Sequence, residues 1–120
     1  MMKLIYDGRL PGANEFNNAQ RRNRYVGARL KRDTQNEIEW ILKPQIIQRF
    51  SGKVQIYISF YEKTMRRDPD NVISGGCKVI LDALQELHVI KRDSPRYIHL
   101  VPEVWYDKEH PRIEIEIEPA

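Results

Sequence analysis

The stretch KVQIYISFYEK, residues 53–63, constrains the fold more than any other part of the chain. Val54, Ile56, Ile58 and Phe60 fall on one side of an extended backbone, and Gln55, Tyr57, Ser59 and Tyr61 fall on the other. That period of two predicts a strand with one buried face. RIEIEIE, residues 112–118, repeats the alternation strictly. MKLIYDGRL at residues 2–10 reads as a first strand, ended by Pro11-Gly12, and RYIHLVPEVWY at 96–106 as another, bent at Pro102. DKEHP joins that strand to RIEIEIE, and a hairpin between the two is expected.

Helical spacing fills the gaps. Ala28, Leu30, Thr34, Ile38, Ile41 and Leu42 recur as on one helix face, predicting a long helical segment over about 18–50. Pro44 should end or kink it, and PQIIQRF is expected to continue as a short second piece. From Asp70 to about His88, Ile73, Cys77, Ile80, Leu81, Leu84 and Leu87 form an apolar stripe. The order strand, helix, strand, helix, strand, strand fits an α+β fold. The expectation is a single small domain over 1–120, with a mixed sheet of about four strands under two main helices.

Composition sets further limits. No apolar run approaches the roughly 18 residues of a membrane span, and the opening MMKLIYDGRLPG meets charge and glycine too soon for a secretory signal. One cysteine, Cys77, allows no internal disulfide and no thiolate metal cluster. A cytoplasmic protein without membrane contact is expected. The formal net charge is only +3, but RRNRYVGARLKR carries Arg21, Arg22, Arg24, Arg29, Lys31 and Arg32 with no acid among them, whereas the C-terminal strand is acidic. A polyanion such as DNA suits the basic segment; a solvated helix face would look the same.

The chemistry concentrates in RRDPDN, residues 66–71. Asp68 and Asp70 flank Pro69 directly after Arg66 and Arg67. One account is structural: Pro69 at the first helical position, Asp68 as the N-cap, and both acids favoured by the helix dipole. The other is a metal site, because two close carboxylates repel unless a cation lies between them, and Mg²⁺ binds through one or two such groups. Asp93, in KRDSPRY, joins them if pairing of the flanking strands brings their ends together. Behind the motif, Asn71, Gly75, Lys78 and Asp82 make a polar stripe in which Gly75 permits close approach of a backbone or ligand. For Lys78 the plain alternative is an i,i+4 pair with Asp82. Cys77 belongs to the core, and His88, His99 and His110 lack ligand-like spacing. Trp40 and Trp105 suit packing or dimer contacts, and Tyr25 and Tyr97 suit packing or base stacking.

RRDPDNVISGGCKVILDAL together with HVIKRDSPRYI resembles the RusA-type Holliday junction resolvases, a family of phage and bacterial endodeoxyribonucleases. LPGANEFNNAQRRNRYVGARLKR resembles the N-terminal part of the phage-type members. The resemblance implies metal-binding carboxylates at Asp68, Asp70 and Asp93 and a functional lysine at Lys78. It also implies Mg²⁺ or Mn²⁺ dependence, a homodimer, and cleavage of branched DNA, the four-way junction. Arg66, Arg67 and the basic segment would bind DNA, with Asn14, Asn71, Asp82 and Arg92 in support. Arg92 stands where many members carry the first of two adjacent aspartates, and the interval from Asp70 to the D-A-L segment is the longer variant. A non-catalytic DNA-binding module and a nuclease of the same fold acting on other branched DNA are the rivals.

Overall fold

In the computed structural model, which describes residues 1–120, the alternating stretches are strands, each with its apolar side turned inward. The order is β1 (Met2–Asp7), α1 (Ala13–Arg22), α2 (Arg24–Leu42), a 3₁₀ turn (Lys43–Gln45), β2 (Val54–Glu62), α3 (Pro69–Glu86), β3 (Ile98–Tyr106) and β4 (Arg112–Pro119). The strands form one mixed sheet ordered β1-β4-β2-β3. β4 runs antiparallel to both neighbours, and β2 and β3 run parallel. Leu4, Ile115 and Ile58 come into register across it. With Phe60 and Ile117 they meet Ile38 and Leu42 of α2 and Ile80 and Leu84 of α3 in the buried core. No helix is long and apolar enough to cross a membrane.

Two expectations fail. The hairpin between residues 96–106 and 112–118 does not exist, because β4 sits between β1 and β2 while β3 lies beyond β2. The two strands are separated by β2, and their link crosses its C-terminal end, where the Asp107 N–H donates to the Glu62 carbonyl at 2.8 Å. Each sequence suits its place. Ile113, Ile115 and Ile117 are fully buried, as a central strand requires, whereas Pro102 lacks an N–H and is tolerated at an edge.

The long first helix is two helices. Asn23 is extended (φ −168°, ψ 128°), and its side chain caps α2 by accepting the Tyr25 N–H at 2.7 Å. At the resulting elbow, a Cβ on Gly27 would lie 2.8 Å from Gln20 Cα, so only glycine lets α1 and α2 approach this closely. Three α-helices therefore replace the two expected. Pro44 does end α2, but only Lys43–Gln45 continue, as a single 3₁₀ turn. From that turn the Gln45 amide donates to the Ile5 carbonyl and accepts the Ile5 N–H, both at 2.8 Å, which covers part of the open edge of β1.

The unit β2-α3-β3 positions the chemistry. Parallel neighbours need a crossover, and here it is α3. α3 runs back against β2, so its N-terminus lies at the C-terminal end of β2 and its C-terminus at the start of β3. Its eighteen residues span about 27 Å.

Candidate active site

Asp68 and Asp70 stand at the start of α3. Pro69 takes the first helical position and Asp68 (φ −64°, ψ 141°) the N-cap, the geometry a residue before proline favours. Yet the Asp68 carboxylate makes no capping hydrogen bond. Both aspartates are exposed, and neither enters an ion pair. The cap position is filled, but its side chain is free.

Arg67 fixes the approach to this turn. Its side chain is only 12% exposed and pairs at 2.8 Å with Glu62, whose side chain is 7% exposed. It also donates to the Leu10 carbonyl at 2.8 Å and to Glu15 at 3.2 Å. The guanidinium thus joins the end of β2, the β1–α1 link and the residue before Asp68. The expected DNA contact by Arg67 is corrected: its donors are consumed inside the protein. Arg66 is exposed.

Asn71 holds the other side. Its Oδ1 accepts the Asn14 N–H at 2.8 Å. Gly12, the N-cap of α1, has no side chain to offer, so Asn71 caps α1 from another helix. Asn14 takes part through its backbone. Beside it, a Cβ on Gly75 would lie 2.5 Å from the Gly12 carbonyl carbon, so this glycine admits the backbone of α1.

Lys78 and Asp93 lie elsewhere. The Lys78 amine pairs with Asp82 at 3.1 Å, the i,i+4 alternative. Lys78 is eight residues from Asp70, about 12 Å along the axis, so it does not reach the carboxylate pair. It lines a groove of about 160 Å³ between the helices, together with Lys31, Asn17 and Ser74. Asp93 lies at the far end of α3. Its N–H donates to the Gln85 side chain at 3.0 Å, and Gln85 is fifteen residues, about 22 Å, beyond Asp70. No group of three or more Asp, Glu, His or Cys side chains in the chain could hold a metal ion. The expected convergence of Asp93 with Asp68 and Asp70 is therefore overturned within one chain, because β2 and β3 pair in parallel and α3 separates the two loops.

The basic segment is displayed at the α1–α2 elbow. Arg21, Arg22, Arg24, Arg29, Lys31 and Arg32 are all exposed. Arg24 lies over the Tyr25 ring at 5.0 Å, and Arg29 makes only a loose pair with Asp33 at 3.9 Å.

Two basic clefts escaped sequence reasoning. One, of about 560 Å³, adjoins the Asp68 turn and is lined by Lys63, Thr64, Met65, Arg66, Tyr106 and Lys108. The other lies at the far end of α3, beside the exposed Arg92 and Asp93, with Arg49, Ser51, His88 and Lys91 in its wall. The run EKTMRR was the available signal for the first. The second draws on residues some forty positions apart, which no local pattern joins.

The profile of the family Endodeoxyribonuclease RusA matches residues 11–118, nearly the whole chain. The chain belongs to the RusA family. This RusA-family protein is an endodeoxyribonuclease, and the family resolves Holliday junctions. No curated protein matches it. The match includes both aspartates at the start of α3, Lys78 and Asp93.

Proposed function

We propose that this RusA-family protein cuts four-way DNA junctions by paired, divalent-cation-dependent hydrolysis of phosphodiester bonds, in DNA recombination and repair. The supporting observation is the pair Asp68 and Asp70, exposed at a rigid helix start and without a protein partner. Two hard oxygen donors suit Mg²⁺, which binds through one or two carboxylates and keeps several waters, and carboxylates suit Mn²⁺ equally. A bound ion there would polarise the phosphodiester and make a coordinated water more acidic.

The chain's own residues supply position and charge. Arg67 and Asn71 anchor the segment that carries the carboxylates. Arg66 and the cations of the α1–α2 elbow hold backbone phosphates, so binding weakens with salt. Lys78 and Lys31 contribute from their shared groove as phosphate contacts, at a distance from the cleaved bond. Asp93 joins Asp68 and Asp70 from a second copy. A two-fold homodimer that sets the far end of α3 in one copy against its start in the other makes two equal sites, which suits a substrate needing two symmetric cuts.

Junction cleavage with and without Mg²⁺, by the wild type and Asp70→Asn, tests the proposal, with flap and linear duplex DNA alongside. The expected result is Mg²⁺-dependent cutting of the junction, lost in the variant while DNA binding persists. Wild-type cutting by Asp70→Asn would sink the metal role. Preferential cutting of flaps would redirect the substrate assignment.

A further inference from the structure

At the end of α3 remote from Asp68, the loop before β2 is tied to the turn after the helix. The Phe50 N–H donates to the Val89 carbonyl at 2.9 Å, and Arg49 Nε donates to the Leu87 carbonyl at 3.2 Å. A cleft of about 420 Å³ opens here. Arg49, Ser51, His88 and Lys91 line it together with the half-buried Phe50 and the buried Ile90. Arg92 and Asp93 follow directly and are exposed.

Cations at this place have a plain structural use, since a helix C-terminus favours positive charge. Arg49 serves it through its bond to Leu87. That bond occupies Nε alone and leaves both terminal guanidinium nitrogens free. Lys91 and Arg92 do not serve it. They lie beyond the helix end at Glu86, are exposed, and enter no ion pair. The three cations outnumber the neighbouring acids, Glu86 and Asp93. Arg49, Lys91 and Arg92 are all exposed, so the cleft suits an extended polyanion and not an enclosed small anion. Its mixed lining matches a sugar–phosphate backbone: apolar contact for deoxyribose at Phe50 and Ile90, and donors for phosphate oxygens at Ser51 and the cations.

In the two-fold arrangement proposed above, this end of α3 lies against the aspartate pair of the other copy. Charge favours that apposition, because the unpaired Asp68 and Asp70 of one copy meet a net positive surface of the other. We propose that Arg49, Lys91 and Arg92 hold DNA phosphates beside the bond cut at the partner's Asp68 and the partner's Asp70. Each scissile strand is then gripped by both subunits. The placement beside the cut rests on Asp93 acting on the partner's aspartates; phosphate binding by the cleft does not.

The first arm of the test is run in EDTA and reads binding alone. Lys91→Gln and Arg92→Gln remove charges that bond nothing in the fold, so folding should be unaffected. Each should flatten the slope of log affinity for a four-way junction against log salt by about 1. That corresponds to roughly five- to ten-fold weaker binding at 0.1 M salt. Arg49→Lys should bind better than Arg49→Gln. An unchanged slope overturns the proposal, and so does a fall in mass by light scattering with the slope unchanged, which would assign these cations to the partner's carboxylates. The second arm uses the heterodimer of Asp70→Asn and Asp93→Asn in Mg²⁺. Its intact site combines the aspartate pair of the Asp93→Asn chain with Asp93 of the Asp70→Asn chain. Adding Lys91→Gln and Arg92→Gln to the Asp70→Asn chain should slow nicking several-fold more than adding them to the other chain, although both placements remove the same charge. Equal slowing overturns the placement. If the unmodified heterodimer nicks nothing, the reading of Asp93 in trans falls and the placement with it, while the salt slope still decides whether the cleft binds phosphate.

Discussion

Asn71 Oδ1 accepts the backbone N–H of Asn14 at 2.8 Å, so the residue after the second aspartate caps a helix fifty-seven positions earlier. Removing the acceptor should cost what a lost N-cap costs, about 1 kcal/mol. Asn71→Ala is expected to lower the free energy of unfolding by that amount, read as a lower urea midpoint at an unchanged slope. Asn71→Asp keeps the oxygen and should recover most of the loss. Equal losses in both variants would assign the effect to packing.

Arg67 and Glu62 form the second anchor, and their burial makes the prediction asymmetric. Arg67→Met leaves the Glu62 carboxylate buried without its guanidinium, which should destabilise the fold by about 3–5 kcal/mol. Adding Glu62→Leu removes the stranded charge, and the double variant should regain much of that stability. Equilibrium denaturation of the two proteins decides it. Were Arg67 a phosphate contact instead, Arg67→Met would leave stability alone and flatten the salt dependence of DNA binding.

How far the sequence reveals this structure depends on what kind of information each residue carries. Alternation in Val54–Phe60 and Ile113–Ile117 fixes which face is buried, and that face is buried. Alternation does not name a neighbour, so the hairpin expected between residues 96–106 and 112–118 is absent and β4 is central. Asn23 breaks the first helix through its own capping, which the apolar period cannot register because the residues that set it, Ala28 to Leu42, all follow the break. Asp68 and Asp70 were legible as a unit because proline fixes their local geometry. The position of Asp93 was legible in principle: two strands joined through an eighteen-residue helix pair in parallel, and a parallel crossover puts the loops before and after the helix at opposite ends. The roles of Arg67 and Asn71 depend on contacts across more than fifty positions and leave no local trace.

His88 ends α3 with φ +60°, the left-handed conformation that side chains disfavour. The turn is a Schellman motif, with the Val89 N–H donating to the Leu84 carbonyl at 2.9 Å and the His88 N–H to Gln85 at 3.0 Å. His88→Gly should keep both bonds and relieve the strain, raising stability by about 0.5–1 kcal/mol. Thermal unfolding reads the gain. A loss would mean that the imidazole makes contacts worth more than the strain.

Cys77 is buried, and desolvation pushes its thiol up to about 12. The thiolate is the reactive form, so native protein at pH 8 should react with a thiol reagent far more slowly than unfolded protein. The sign for stability follows from the raised value. Burial favours the neutral thiol, so its contribution is complete below the ordinary thiol value of 9.0 and is lost as pH rises from there toward 12. Cys77→Ala should flatten the alkaline arm of a stability–pH curve; an identical arm in both proteins would assign the loss to other groups.

The separation of Asp70 from Asp93 gives the sharpest test of how the site is completed. Asp70→Asn and Asp93→Asn homodimers should each be inactive. If Asp93 acts on the partner's aspartate pair, a heterodimer of the two variants contains one site with both substitutions and one with neither. Mixing them, with subunit exchange, should restore cutting of one strand, so nicked junction accumulates without paired products. If Asp93 served its own chain, every site in the mixture would carry one substitution and no nicking would return. Gel separation of nicked from resolved junction distinguishes the outcomes. Each variant against wild type is the control: a heterodimer with wild type should also keep one intact site and nick one strand.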